Sequence, residues 1–150
     1  MAVMGVVKFE RFFRVAAGLD VDKADIKRFN EFVNKKLYDL LVRGVAVAKA
    51  NGRDIIQPND LPITKGLQEH IQQFEDIDED VELQPIRDEL IRHPPSTWIT
   101  APRPRPGSFP SIVGGIGVAL ACSFKIIEPG LKNPMTEHWE RSYRIFDLLL

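Results

Sequence analysis

The 150-residue sequence predicts an all-α fold, on three observations. Apolar residues recur every three or four positions over most of the chain, the spacing of one helix face. One such stretch runs from Asp22 to Asn51-Gly52 with no proline inside it. The dipeptides Gln57-Pro58 and Asn133-Pro134 stand at matching places after two long elements, and each reads as the start of a further helix. The length suits one domain with its own core, or two small units that share one.

A first short helix is expected from Phe9 to Ala17, with Phe9, Phe12, Phe13 and Ala16 on one side and Lys8, Arg11 and Arg14 on another. Gly18 is its natural stop. Asp22, with Asp25 three residues on, signals the next start as a cap and a first-turn acid. From there Ile26, Phe29, Val33, Leu37, Leu40, Gly44 and Val47 mark a helix of roughly 28 residues, about 42 Å long at 1.5 Å per residue. So long a helix must be covered by partners along its length. A third helix is expected between Pro58 or Pro62 and Asp76, with Leu67, Ile71 and Phe74 facing inward.

The second half repeats this plan less clearly. Val81 to Arg92 reads as a short helix through Leu83, Ile86, Leu90 and Ile91. HPPSTWITAPRPRPG is a proline-rich loop that cannot be helical. Residues 108 to 128 form a second long element ended by Pro129-Gly130, and Asn133-Pro134 opens a last helix through Trp139, Tyr143 and Phe146. Residues 111 to 124 carry no charge and approach the roughly 20 apolar residues of a membrane span. The central helix of a packed bundle is apolar on all sides too, and Gly114, Gly115 and Gly117 would let another helix cross closely. That reading is preferred to a membrane span.

Formal charge is −1, which argues for no polyanion partner by itself. Its distribution is uneven: residues 1 to 56 hold eleven Lys and Arg against seven Asp and Glu, residues 57 to 90 two against ten, and residues 91 to 150 seven against four. The acidic middle, with EDIDEDVE, reads first as a solvated helix end and connector. Cys122 is the one cysteine, so no disulfide forms within the chain, and its apolar neighbours suggest a buried thiol in a reducing, cytoplasmic setting. The start, MAVMGVVKFERFF, lacks the pattern of a signal peptide.

Catalytic and metal-binding patterns are missing from the sequence. His70, His93 and His138 form no HExxH or other paired motif, the CxxC and GxSxG signatures do not occur, and GGIG is neither GxGxxG nor GxxxxGK[ST]. His138, between Glu137 and Glu140, reads as a surface or interface histidine. The expectation is a protein that is not an enzyme, with no catalytic residue, metal or cofactor.

The stretch NGRDIIQPND, residues 51 to 60, asks for more than a change of direction. It holds two β-branched residues, Ile55 and Ile56, which favour extended backbone, and an arginine seven residues before an aspartate. A bidentate Arg53–Asp60 clamp would fix how this loop turns into the third helix. A plain surface ion pair is the alternative.

Short helix, long helix, this loop and a further helix together resemble the histone fold. The resemblance implies that Arg53 to Ile56 is a short extended strand pairing with the first loop of a partner unit, and that Arg53 bonds Asp60. Two such units in one chain look like a tandem, pseudo-dimeric protein, similar to archaeal histones and to a bacterial family with two histone folds per chain. Residues 1–77 would be the first unit and residues 78–150 a more divergent second, packed by an intramolecular handshake into one compact domain. In the second unit the loop Gly130-Leu131-Lys132-Asn133 is shorter, has no arginine, and Thr136 stands where Asp60 does.

By the same resemblance, double-stranded DNA would be bound without sequence specificity. Lys23, Lys27 and Lys132 would lie at one end, Arg53, Arg103 and Arg105 at the other, and Lys8, Arg11 and Arg14 between them. Such phosphate contacts displace condensed counterions and give steeply salt-dependent binding. Against them stand Asp20, Asp22, Asp25 and Asp54 beside the same places. The alternative is a histone-fold module that contacts another protein or a second copy of itself. DNA binding would make the protein nucleoid-associated; neither reading involves a membrane.

Overall fold

The computed structural model describes residues 6–81 and 109–149. These hold five α-helices: α1 (Val6–Ala17), α2 (Lys23–Ala50), α3 (Lys65–Val81), α4 (Phe109–Ile127) and α5 (Thr136–Leu149). A 3₁₀ turn at Pro58–Asp60 sits between α2 and α3, and no strand occurs among the described residues.

Helix α1 turns Phe9, Phe12 and Phe13 wholly into the core and leaves Arg11 and Arg14 outside. Gly18 stops it with φ of 64°, a backbone that favours glycine, while its N–H donates to the Arg14 carbonyl at 2.8 Å. The start of α2 is a reciprocal cap. Asp22 Oδ1 accepts from the amides of Ala24 and Asp25, and Asp25 Oδ2 accepts from the amide of Asp22. Gly52, at φ of 68°, closes the far end, where the amides of Gly52 and Arg53 return to the Lys49 and Ala48 carbonyls.

The expected strand over Arg53 to Ile56 is not formed. The first loop of the second unit, its expected pairing partner, lies outside the described residues, and within the loop Arg53 Nη1 donates to the Ile55 carbonyl at 3.2 Å. Ile55 and Ile56 still face opposite ways, the first exposed and the second buried. The third helix also begins later than Pro58 suggests. Pro58 opens only the 3₁₀ turn, and Thr64 caps α3 by accepting the Leu67 amide at 3.2 Å. Val81, expected to open a new helix, closes α3, which thereby runs through the 77/78 position. The rest of that expected helix, residues 82–92, and the proline-rich loop lie outside the described residues.

Two seams join the halves of the chain. In the first, α3 lies close along α4, over the glycines that mark this helix in the sequence. A Cβ on Gly114 would run into the Phe74 ring, one on Gly115 would come within 2.5 Å of Ile71, and one on Gly117 within 3.0 Å of Phe12. In the second, α5 meets α2 through large side chains. Phe32 stacks on Tyr143 at 5.1 Å and meets Phe146 edge-on at 5.0 Å. Trp139 fills the centre against Phe13 and Phe124. No helix of the described residues is long and apolar enough to cross a membrane.

Gly114→Ala tests the glycine seam. Its methyl group has no room before Phe74, so thermal unfolding should show a loss of about 2 kcal/mol, the usual cost of overpacking. Gly66→Ala on α3, where a Cβ meets nothing within 4 Å, should instead leave stability equal or raise it by about 0.5 kcal/mol through helix propensity.

Candidate functional site

The loop after α2 is held by a bidentate ion pair. Arg53 Nη1 donates to Asp60 Oδ2 at 2.7 Å and Nη2 to Oδ1 at 2.6 Å, in the parallel fork geometry that suits guanidinium and carboxylate. Asp60 is buried and also accepts the Gln57 amide at 2.7 Å. The Arg53 hydrogen bonds and this amide lower its pKa to about 2. Arg53 is thus spent on Asp60 and on the Ile55 carbonyl, not presented to solvent as a free cation.

At the opposite end the first loop and the last loop lie side by side. The Asp20 amide donates to the Lys132 carbonyl at 2.7 Å, which brings Lys23 and Lys132 to one end of the molecule. Both are exposed, as is Arg11, and among the described residues no carboxylate is paired with any of the three. Arg14 faces Asp20 at 3.6 Å and Lys27 faces Glu31 at 4.0 Å. Lys8 lies in the first turns of α1, while Arg103 and Arg105 lie outside the described residues.

The last loop solves its turn differently from the Arg53 loop. His138 Nδ1 accepts the Met135 amide at 3.0 Å, the role a glutamate usually plays three residues into a helix, and its other nitrogen meets Glu128 at 2.7 Å. Both ring nitrogens are therefore committed to structure. Lys125 Nζ donates to the Leu131 carbonyl at 2.5 Å. Thr136, the first residue of α5, accepts from Arg28 of α2 at 2.7 Å.

Sequence reasoning missed two buried charges on α2. Asp25 is 6% exposed and its Oδ1 accepts the Trp139 indole N–H at 2.9 Å, with Arg28 at 3.5 Å. Burial raises its pKa, a shift its amide and indole hydrogen bonds only partly offset. Lys36 is 1% exposed and donates to Asp147 of α5 at 2.6 Å, with Asp39 at 3.6 Å and Lys35 also on Asp147. These lysine hydrogen bonds hold Asp147 below its ordinary pKa. A signal existed for Lys36: it occupies the stripe of Phe29, Val33 and Leu40, where an apolar residue belongs. Cys122 is half-buried, which raises its thiol pKa and keeps it from being a ready nucleophile. Among the described residues, no three His, Cys, Asp or Glu side chains gather as a metal site would require.

The clamp makes a pH-dependent prediction. A carboxylate with a depressed pKa stabilises the fold above its unfolded value of 3.8, and this contribution is lost as pH falls towards about 2. Arg53→Ala should therefore lower the melting temperature at pH 7, and the gap to the parent protein should narrow between pH 4 and pH 2. An Arg53→Ala protein that melts like the parent at pH 7 would show that the pair contributes nothing.

Comparison with known proteins places these features in a bacterial group. A crystal structure of a protein from Thermus thermophilus superposes with a TM-score of 0.83, at 48% identity over 99% of either chain. A crystal structure of a protein from Aquifex aeolicus gives a TM-score of 0.75 at 26% identity, over 96% of this chain and 94% of the other. A curated Aquifex aeolicus relative, described as an uncharacterised protein, is 28% identical over 143 residues, 95% of this chain and 82% of its own. The Arg53–Asp60 loop, both seams and the joined end loops all fall within residues 9–147, which match a single family model, and the chain belongs to that family, described as Domain of unknown function (DUF1931).

Proposed function

We propose that the chain is a single-chain, histone-like handshake of two helix–long helix–helix units, and that it serves as a module for protein contacts. The unit order, the Arg53–Asp60 clamp and the single backbone bond between first and last loops support the handshake. In a histone-like pair the first loop of one unit lies beside the last loop of the other, and Asp20 and Lys132 have that relation.

One observation carries the choice of protein over DNA. Three of the basic groups expected to meet phosphate are paired within the chain: Arg53 with Asp60, Arg14 with Asp20 and Lys27 with Glu31. A surface that binds a polyanion presents clustered cations to its phosphates, and ion pairs within the chain compete with that role. A second reading, sequence-tolerant DNA binding, is favoured by Lys23 and Lys132, exposed and brought to one end by the joined loops.

Titration of a random-sequence DNA duplex across a salt series separates the two. The protein-contact reading expects no saturable binding at physiological salt. Binding whose log affinity falls linearly with log salt, and which weakens in a Lys23→Glu, Lys132→Glu variant, would establish the DNA reading in its place.

A further inference from the structure

The two seams between the halves are chemically unlike, and the difference dictates which helix each accepts. The α3–α4 seam is apolar and shaped by glycine, with Ile71 and Phe74 lying where Gly115 and Gly114 leave space. The α5–α2 seam is filled by large rings and crossed by two polar links: the buried Asp25 to Trp139, and the buried Lys36 to Asp147, whose carboxylate is about half exposed. If the two halves are equivalent units, as in the tandem reading on which this inference rests, aligning Asp60 with Thr136 sets Ile63 at the place of Trp139 and Ile71 at the place of Asp147.

We propose that buried Lys36, through its bond to the more exposed Asp147, selects the partner of the first half, admitting the last helix of the same chain and refusing the α3 of a second copy. In a pairing of two first halves, α3 of the second copy would lie along α2. Lys36 would then face Ile71 and lose its 2.6 Å bond to Asp147, keeping only the longer approach to the half-buried Asp39 of its own helix. Asp25 would face Ile63 and lose the indole N–H. A buried charge stripped of its partner is strongly disfavoured, whereas replacing both members of such a pair by apolar groups is often neutral. The pair therefore adds selection more than stability, and it works against the pairing of two first halves from different copies, in which Lys36 would lose Asp147.

Two variants of the full chain test this, each unfolded in denaturant, refolded at high protein concentration, and weighed by light scattering. Asp147→Leu leaves Lys36 without its shorter ion pair and opposite an apolar group, and should lower the melting temperature by about 5 °C. Lys36→Met with Asp147→Leu should recover most of that loss and yield a dimer fraction at least about twofold above the parent's, because the mismatch that refuses α3 is gone. An unchanged melting temperature in Asp147→Leu overturns the proposal and leaves the tandem reading standing. A loss that the double variant recovers, with no gain in dimer, overturns it in another way: the halves are then not interchangeable, and the tandem reading falls with it.

Discussion

A helix of 28 residues cannot cover itself, and the rest of the chain is arranged around that constraint. Helix α2 buries residues from Asp25 to Ala48, over most of its length, so more than one partner must lie against it. The phenylalanines of α1 cover it around Phe29, the side chains of α5 around Phe32 and Lys36, and the loop residues Ile56 and Leu61 around Gly44. Each of these contacts comes from a different place in the sequence. The aromatic centre draws on both halves of the chain: Phe9, Phe12, Phe13, Phe29 and Phe74 from one, Phe124 and Trp139 from the other.

The two long helices meet this constraint with opposite chemistry. Helix α4 carries no charge from Ser111 to Phe124 and gains its fit by giving up side chains at three glycines, so that α3 approaches closely at Gly114 and Gly115 and the rings of Phe12 and Phe29 at Gly117. Each glycine costs helix stability of about 1 kcal/mol relative to alanine, which the packing of Phe74, Ile71 and Phe12 must offset. Helix α2 keeps large side chains along its seam and admits two charges. Burial disfavours the ionised Asp25, as its raised pKa reflects, so this residue is tolerated for the bonds it makes and not for its charge. Tyr143 is likewise pushed up to about 12 by burial while donating to the Arg28 carbonyl at 2.9 Å.

Much of this was legible in the sequence, for reasons that differ between elements. The all-α class, the reach of α2 and its Asp22 cap follow from periodicity and from short-range bonds that need no tertiary context. Gly114, Gly115 and Gly117 announce a close crossing because glycine within a helix is costly unless something fills the space. The loop residues were harder. The pair of isoleucines suggests a strand, but a strand requires a second one beside it, and the local pattern cannot supply that. Pro58 reads as a helix start because its own backbone suits one, yet the chain has a further turn to make before Thr64. The Lys36–Asp147 and Asp25–Trp139 links span more than a hundred residues, and only a misplaced lysine in an apolar stripe hinted at the first.

The loops that follow the two long helices show how different residues can meet one geometric need. After α2 the chain must turn while keeping Asp60 near the helix end, and Arg53 does so by filling both carboxylate oxygens. After α4 the loop is shorter and has no arginine to do this. His138 instead caps the next helix and reaches back to Glu128, Lys125 holds the Leu131 carbonyl, and the hydroxyl of Thr136 is taken by Arg28 from the other half. Among the described residues the first solution is self-contained, whereas the second draws part of its support across the seam. Loss of the α2–α5 seam would therefore remove a support of the last loop, while the Arg53 loop would keep its own clamp.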